Sequence, residues 1–320
     1  MIYRCKLYSG PLPDITRTNY AYLHVFQSCF YLYQSIILIY LSDCMLNKLA
    51  FVPIVLFILS LGVLFYNYSN TGDFILRDID LKGGTLITIE TSQPVDVHAL
   101  ETALLREFSS VSVSGLKTSA GYGANIEVAA DTNTTSVLNV VNQTANYSSF
   151  SVQTIGSDLG NFFFQQVIYL LIAAFVLMSI IIYFIYRNAI SSFGIVFATF
   201  ANIITTLAVT SLLGIRISFA GFAGLLMLIA YTVDTNIVLT TKVLKSSPQE
   251  FRKQYKKALI TGVTLIATVS ITMFVVQLIS TSRLLVNISQ VLLIGFLIDL
   301  IYTWMFDSSL LEWFVKRRYK

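Results

Sequence analysis

The stretch of sequence that decides the fold is ISFAGFAGLLMLIAYTVDTNIVLTT, residues 217–241. A transmembrane helix needs about 20 predominantly apolar residues, so this stretch is long enough to cross a bilayer. It contains no Lys or Arg and one carboxylate, Asp234. A charge near the middle of a membrane helix is unfavourable by roughly 2.5–3.5 kcal/mol on insertion scales, which makes Asp234 a candidate functional residue. The polar neighbours that extend the candidate site are Tyr231, Thr235 and Asn236.

The composition of the whole chain is that of a membrane protein. Hydrophobic residues make up 55% of it and charged residues 12%, with a mean hydropathy of +0.72. A soluble domain carries about 25% charged residues. Five further apolar runs are long enough to span a bilayer: Leu49–Tyr66, Val167–Tyr186, Ala189–Leu213, Ala258–Ile279 and Leu284–Phe306. We therefore predict an α-helical integral membrane bundle of six transmembrane helices, with the first span in 45–66 and the other five in 167–306.

The distribution of Lys and Arg predicts the orientation of the bundle, because cytoplasmic loops carry an excess of these residues. Six spans put residues 1–48, 187–188, 242–257 and 307–320 on one side, with 15 Lys and Arg against 6 on the opposite side. We expect the first side, which includes the basic tail 307–320, to be cytoplasmic. The segment 67–166 is then extracytoplasmic.

The extracytoplasmic segment 67–166 is predicted to be a small α+β domain. Ile79–Thr91 alternates as a strand does, and Asp96 is expected to cap a helix that runs through Leu100 and Leu104. The elements predicted to follow are strands Val111–Lys117 and Asn125–Ala130, helix Thr134–Gln143 and strand Phe150–Ile155. The order β-α-β-β-α-β is that of a ferredoxin-like fold. Four N-x-S/T sequons are as compatible with chance as with glycosylation: Asn67, Asn133, Asn142 and Asn146.

The first 44 residues differ from the rest of the chain. All three cysteines lie there, without the spacing of metal ligands: Cys5, Cys29 and Cys44. We expect natural translation to start at Met45, so that residues 1–44 are a gene-start artefact and both termini are cytoplasmic. An interfacial helix or a seventh span over Tyr20–Leu41 stays open as an alternative.

Three consecutive spans carry small or polar side chains on one helical face. They are Gly194, Ala198, Asn202, Thr206 and Thr210 in the third span, Ala220, Gly224, Tyr231 and Asp234 in the fourth, and Thr261, Thr264, Thr268 and Thr272 in the fifth. Small residues let helix backbones approach, and hydroxyls form hydrogen bonds across the gap. Any one stripe is better explained by packing, but the three together predict a polar seam around Asp234. In the sixth span, Asp299 is expected to be a helix–helix hydrogen-bond acceptor.

Sequence patterns of common enzymes are absent from the chain. It has no G-x-x-x-x-G-K-[ST] phosphate loop, no H-E-x-x-H and no G-x-S-x-G, so we expect no ATP hydrolysis, no enzymatic activity, no cofactor and no metal. Asp234 and Asp299 lie in no motif typical of an intramembrane aspartyl protease. The net charge of +4 is a signal of topology, and no nucleic-acid partner is expected.

Several segments, each in a definite place along the chain, carry a resemblance to a known family. They are Asp80-Leu81-Lys82-Gly83-Gly84-Thr85 after the first span, Ile155-Gly156-Ser157-Asp158-Leu159-Gly160 before the second, Arg187-Asn188 before the third, Leu226–Asn236 and Thr240–Leu244 in the fourth, and Asp299–Trp304 in the sixth. From about Leu46 to its end the chain resembles the SecF family, in its archaeal form. SecF is the partner of SecD in the accessory complex of the Sec protein-export machinery.

The resemblance implies a subunit that pairs with SecD, lies beside the Sec translocation channel in the lipid bilayer and contacts the translocating polypeptide. In bacterial relatives, acidic residues of the fourth helices link export to the proton-motive force. The proton-coupling candidates are therefore Asp234, Tyr231, Thr235 and Asn236. The secondary candidates inside the membrane are Asp299, Asn202, Thr264 and Thr268, and the family motif of the extracytoplasmic domain contains Asp80, Gly83 and Gly84.

The chain departs from the bacterial SecF pattern at two points. The bacterial aspartate stands one position later, where this chain has Thr235, and one residue corresponds to about 100° of helix rotation. The bacterial arginine early in the fifth span has no counterpart in Ala258–Ile279. Asp234 is therefore either a carboxyl group that gains and loses a proton or a neutral carboxyl group hydrogen-bonded to Tyr231 or to a threonine of the fifth span.

Two other functions stay open beside proton-coupled export. One is half of a small-solute or lipid transporter of the resistance-nodulation-division superfamily, which shares this topology. Such transporters usually carry two six-span halves in one chain, whereas this chain has one. The other is a scaffold for SecD without energy coupling of its own.

Overall fold

A computed structural model describes residues 51–91, 95–108, 111–118, 121–129, 132–144, 147–280 and 282–318. The N-terminal segment 1–44 lies outside the described residues, as does the sequon residue Asn146. In chain order the elements are α1 (Phe51–Thr71), α2 (Ile79–Lys82), β1 (Gly84–Thr91), α3 (Val97–Leu105), β2 (Val111–Thr118), β3 (Gly121–Val128), α4 (Thr134–Thr144), β4 (Ser149–Ile155), α5 (Ser157–Tyr186), α6 (Ala189–Leu212), α7 (Phe219–Leu244), α8 (Phe251–Ile279), α9 (Arg283–Ile301), a π-helical segment (Tyr302–Asp307) and α10 (Ser308–Arg318).

The six predicted spans are confirmed. Among the described residues, six helical stretches are long and apolar enough to cross a membrane. Five of them are α1 and α5 to α8, and the sixth runs continuously from Arg283 to Arg318 through α9, the π-helical segment and α10. α6 is the most buried of the six, whereas α1 and α5 expose most of their apolar side chains. α6 is therefore the centre of the bundle, and α1 and α5 form its periphery.

The small domain between the first two spans has the predicted β-α-β-β-α-β order. Its sheet is antiparallel with the strand order β2-β3-β1-β4. Asp96 caps α3 as expected, since its side chain accepts hydrogen bonds from the backbone N–H groups of His98 and Ala99. Leu100 and Leu104 on the buried face of α3 pack into a core with the inner residues of the sheet. This core is separate from the packing of the bundle.

The first predicted strand is shorter than expected, because Ile79–Lys82 forms a helical turn. The Asp78 carboxylate accepts a hydrogen bond from the Ile79 backbone N–H, which stabilises the start of this turn. Gly83 ends it with φ +83°, a conformation that L side chains rarely adopt. The strand β1 begins only at Gly84.

Several helices extend beyond the apolar runs that predicted them, and α5 and the sixth span extend the furthest. α5 begins at Ser157 instead of Val167, since its polar first turns pack against α2 outside the apolar part of the bundle. The sixth span does not end at Phe306, and the basic tail after it continues as helix to Arg318. Apolar composition therefore marks the part of a helix that lies in the membrane and does not mark where the helix ends.

Candidate functional site

The centre of the polar seam is Asp299, which is 1% exposed. Three side chains donate hydrogen bonds to its carboxylate: Thr303 Oγ1 at 3.0 Å, Thr235 Oγ1 at 3.1 Å and Asn202 Nδ2 at 3.4 Å. These donors come from the sixth span itself, from α7 and from α6. Asp299 therefore joins three helices, as expected of a helix–helix acceptor.

The stripe predicted on α6 faces this seam. Gly194, Ala198, Asn202, Thr206 and Thr210 are all buried. Asn202 Nδ2 also donates to Thr232 Oγ1 at 3.0 Å, and Thr206 Oγ1 donates to the Asn202 backbone carbonyl at 2.8 Å. Small and hydrogen-bonding residues at intervals of four bring α6 close to α7 and α9, which is the arrangement typical of membrane helix interfaces.

Asp234 does not lie in this seam, which corrects the expectation that the stripes converge on it. Its side chain is exposed, and within the described part of the chain it has no hydrogen bond or ion pair. The neighbours Thr232 and Thr235 face inward, so the helix rotation that buries them turns Asp234 outward. The expected hydrogen bond from Tyr231 to Asp234 is not formed.

The exposed side chains of α7 lie on one face of the helix, which we call the open face of α7. Its members recur at the helical period: Phe219, Ala223, Met227, Ala230, Asp234 and Thr241. Tyr231 lies beside this stripe and packs its ring edge-on against Phe296 of α9, with ring centroids 5.4 Å apart. Asn236 is fully buried, and its Nδ2 donates to the Thr232 carbonyl at 2.9 Å.

The threonine stripe of α8 also faces outward, so the prediction that Thr264 and Thr268 belong to the seam is wrong. Both are exposed, and each hydroxyl donates to the backbone carbonyl four residues earlier. Gly262 sets the orientation of α8, because a Cβ there would lie 2.3 Å from Trp304 Cζ2. Thr264 is about 200° of helix rotation from that contact.

The structure adds a buried carboxylate that the sequence analysis did not single out. Asp307 ends the π-helical segment and is 0% exposed. Neither of its carboxylate oxygens has a hydrogen-bond partner among the described residues. The sequence pattern that could have identified Asp307 is its spacing, since Asp299, Thr303 and Asp307 follow one another at intervals of four residues. The apolar run, however, ends one residue before Asp307.

A second polar cluster connects the small domain to the bundle outside the membrane. Glu127 of β3 forms ion pairs with Arg216, which precedes α7, and with Arg283 at 3.1 Å, the first residue of α9. Arg283 also lies 3.5 Å from Asp78. Burial raises the pKa of Glu127 above its ordinary value, although the two arginines act in the opposite direction. Ion pairs therefore connect the domain to the bundle just before α7 and at the first residue of α9.

The glycine motif lies at the junction between the domain and the bundle. Gly160 of α5 packs so closely on α2 that a Cβ there would lie 2.5 Å from the Gly83 backbone nitrogen. A Cβ on Gly84 would lie 3.0 Å from the Val128 carbonyl oxygen. Asp80 is partly buried on α2, and burial followed by the charge of Asp78 raises its pKa. The two motif segments before and after the domain thus contact each other.

Comparisons with known proteins agree on one family. A family model described as "Protein export membrane protein SecD/SecF, C-terminal" matches residues 135–317. Among curated proteins, the "Protein-export membrane protein SecF" of Methanolacinia petrolearia is 33% identical over 274 residues, which is 85% of this chain and 94% of that protein. The proteins of the same name from Pyrococcus furiosus and Methanocaldococcus jannaschii are 30% and 32% identical, over 85% and 82% of this chain and 92% and 94% of their own lengths.

A solved structure shares the fold. The crystal structure of SecDF, a translocon-associated membrane protein from Thermus, superimposes with a TM-score of 0.70 at 16% identity. The match covers 88% of this chain and 40% of that longer chain. A structure of SecDF in a super-membrane-facing form matches with a TM-score of 0.53 at 13% identity, over 86% of this chain and 39% of that one. The similarity therefore includes both the bundle and the small domain.

Proposed function

The chain belongs to the SecD/SecF family of protein-export membrane proteins, and from this premise we propose that it couples proton movement to export in a complex with SecD. The family and the SecDF fold imply a SecD partner and a membrane setting. The observation that carries the proposal is the position of Asp234, which is exposed on a membrane-spanning helix and has no partner within the described part of the chain.

The open face of α7 is the surface that we assign to SecD. A carboxylate that faces lipid is unfavourable, and such groups almost always face a bundle interior or a polar cavity instead. The flanking residues of this face are small or flexible, with Ala223 and Ala230 beside Met227, so another helix can approach closely. SecD covers this face and turns Asp234 into an interface residue of the complex.

The two carboxylates have different parts in the proposed coupling. Asp234 meets groups of SecD and responds to their charge, while Asp299 meets only neutral donors of its own chain. A proton gained or lost at Asp234 changes the attraction between SecD and α7. Because Thr235, the next residue, donates to Asp299, a movement of α7 alters the hydrogen bonds of the seam.

The small domain is connected to this movement through its ion pairs with the bundle. Arg216 lies next to α7 and Arg283 opens α9, the two helices that share the Asp299 site. A shift of α7 relative to α9 therefore changes the geometry at Glu127 on β3. Lys and Arg are in excess on the side of the bundle opposite the domain, and such an excess is typical of the cytoplasmic side. The domain therefore lies outside the cytoplasm, where it contacts emerging polypeptide beside the translocation channel.

The assignment of the open face can be tested by cysteine cross-linking to SecD. All native cysteines lie in the first 44 residues, so they can be replaced without changing any residue of the six described spans. Ala230→Cys, on the open face, is expected to cross-link to SecD. Leu177→Cys, which is 60% exposed on α5, is the matched control. Cross-linking of the control but not of Ala230→Cys would place SecD elsewhere.

The proton-coupling role is tested by export in membrane vesicles with and without a proton gradient. Asp234→Asn is expected to abolish the gradient-dependent part of export and to keep SecD association, whereas Asp234→Glu keeps both. Gradient-dependent export that is unchanged in Asp234→Asn would contradict the coupling role and would leave a scaffold for SecD. Purification as a homo-oligomer without SecD or channel subunits would favour the transporter alternative.

A further inference from the structure

Two stripes of polar residues run side by side from Asp299 towards the end of the bundle that carries the basic tail. One lies on α7 and the other on the sixth span, each with a polar residue at every fourth position. Ser218 Oγ donates to Asn287 Oδ1 at 2.8 Å, and farther along both helices Thr235 Oγ1 donates to Asp299 Oδ2 at 3.1 Å. α7 and α9 therefore run in the same direction. All members are at most 1% exposed. We call this set the polar column: Thr232, Asn236, Thr240, Asp299, Thr303 and Asp307.

The hydrogen bonding of the polar column differs between its two ends. Around Asp299, the side chains of Thr303, Thr235 and Asn202 donate to the carboxylate. Farther along, Asn236 Oδ1, Thr240 Oγ1 and both carboxylate oxygens of Asp307 have no partner among the described residues. Buried polar groups are almost always bonded to protein or to ordered water, so these atoms are the ones in the polar column that are available to bind water.

Asp307 lies against α6 at a point where that helix lacks a side chain. A Cβ on Gly194 would lie 2.5 Å from Asp307 Oδ1. One turn earlier on the same face is Ser191, which is fully buried and whose hydroxyl also has no described partner. Asp307 is thus directed at the first turns of α6, whose N-terminal dipole favours a negative charge.

A buried carboxylate without protein partners must either be protonated or be reached by water, because an isolated buried charge is strongly unfavourable. No Lys or Arg pairs with Asp307 in the part of the chain that the structure describes. The titratable side chain that interacts with it electrostatically is Tyr186, at the end of α5. The groups facing Asp299 are the neutral side chains of Asn202, Thr235 and Thr303.

Tyr186 also connects the polar column to the surface. It lines a cavity of about 520 Å³ together with Arg187, Asn188, Arg317 and Arg318. Its hydroxyl is 3.1 Å from Thr241 Oγ1 on the open face of α7. Because Tyr186 also interacts electrostatically with Asp307, the Asp307 end of the polar column lies near this cavity. The remaining lining residues of the cavity are apolar: Ile190, Leu244 and Phe314.

We propose that the polar column binds water and transfers protons between Asp307 and Asp299, with the cavity at Tyr186 as its entrance. A proton leaves the Asp307 carboxyl group for a neighbouring water, water passes it along Thr240 and Asn236, and the Asp299 carboxylate accepts it. One carboxylate forms as the other is neutralised, so the charge is balanced. This route deepens the proposed function and rests on it for its link to export, but proton transfer along the column is measurable without export.

The experiment is time-resolved infrared spectroscopy of the full chain with SecD in lipid nanodiscs after a pH jump. The carbonyl stretch of a protonated carboxyl group reports each buried acid. Asp307→Asn is expected to remove one pH-dependent band and Asp299→Asn another, while Asp307→Glu keeps a shifted band. A spectrum that is the same in Asp307→Asn as in the unchanged chain would overturn the assignment of Asp307.

A second set of variants tests the route without altering either carboxylate. Thr240→Val removes a hydroxyl from the polar column, and Thr264→Val makes the same change on the outward face of α8. We expect the response of the Asp299 band to slow about tenfold in Thr240→Val, the effect of losing about one hydrogen bond from the path. Thr264→Val should respond as the unchanged chain does. Equal rates in the two variants would overturn the route.

The same measurements separate this inference from the proposed function. Loss of the Asp307 band in Asp307→Asn, together with a slower response of the Asp299 band in Thr240→Val, supports the polar column regardless of the result for export. If the complex shows both of these spectroscopic effects but its export does not depend on the proton gradient, proton-coupled export is contradicted. The proton route along the polar column is then still supported. If export depends on the proton gradient but neither spectroscopic effect is seen, the proton route along the polar column is overturned. Coupling through Asp234 is then still supported.

Discussion

Asp234 and Asp299 are both carboxylates within membrane-spanning helices, and they face in opposite directions. Asp299 is enclosed by donors from α6, α7 and its own helix, whereas Asp234 is exposed and has no partner in the described part of the chain. The first is satisfied by one chain alone. The second has no such donors among the described residues, although a carboxylate in lipid is unfavourable.

Burial within one subunit therefore does not by itself identify the intramembrane acid that takes part in the proposed coupling. The hydrogen bonds of Asp299 come from its own chain. Under the proposed function, Asp234 instead meets SecD. Four predictions test the difference between buried and exposed positions.

The largest effect on stability is expected for Asp299→Leu. This change removes the acceptor shared by Thr235, Thr303 and Asn202, and leaving buried donors without an acceptor costs about 3 kcal/mol in total. Asp234→Leu in the isolated chain should change the free energy of unfolding by less than about 0.5 kcal/mol. Unfolding measured by steric trapping in bicelles checks both. Equal losses in the two variants would remove the distinction between the sites.

A smaller loss is expected for Gly262→Ala on the inward face of α8. The added Cβ would lie 2.3 Å from Trp304 Cζ2, so the tryptophan or the helix must move. Overpacking of this kind costs about 1–3 kcal/mol. The matched control is Gly62→Ala in α1, where an added Cβ would have no atom within 4 Å. An unchanged thermal unfolding temperature for Gly262→Ala in detergent would show that α8 is not packed on Trp304.

Glu127, outside the membrane, extends the comparison to a carboxylate whose pKa is raised by burial. The Glu127 carboxyl group therefore keeps its proton to a higher pH in the folded protein than in the unfolded chain. Its contribution to the free energy of unfolding is therefore greatest below the ordinary glutamate pKa and declines as the pH rises to the raised value. Glu127→Gln should flatten this decline in thermal unfolding temperatures measured across that range. Glu107→Gln, at an exposed position, is the control, and an equal slope in both variants would contradict the role of burial.

The smallest effect is expected for Thr264→Val and Thr268→Val. Both hydroxyls bond only to their own helix backbone and face away from the seam, so stability should change by less than about 0.5 kcal/mol. Gradient-dependent export should also be unchanged in vesicles. A loss of export as large as that in Asp234→Asn would show that the α8 stripe takes part in the coupling after all.

The sequence predicted the spans and the small domain because both leave patterns within a single segment. The α6 stripe through Asn202 also followed from spacing alone. Spacing places residues on one face of a helix but does not say which neighbour that face meets, so the orientation of Thr264 and Thr268 on α8 depended on the contact of Gly262 with Trp304. Asp234 faces outward because Thr232 and Thr235 are the residues that pack inward.

Asp307 and Glu127 were missed for different physical reasons. Asp307 lies past the end of an apolar run, and the π-helical segment that carries it keeps the chain helical where hydropathy falls. Glu127 lies in a strand whose two arginine partners are distant in sequence, 89 and 156 residues away. Contacts of that separation follow from the packing of the domain on the bundle, which no local pattern contains.

The pairing of Gly84 with Ile155 places the two ends of the small domain side by side. The chain therefore enters and leaves the domain through one narrow stem, with Gly83 and Gly160 in backbone contact at its base. A domain attached in this way can be exchanged as a unit. The domain of a relative should be graftable between Gly83 and Gly156 without rebuilding the helices, provided that it brings an acid able to meet Arg216 and Arg283.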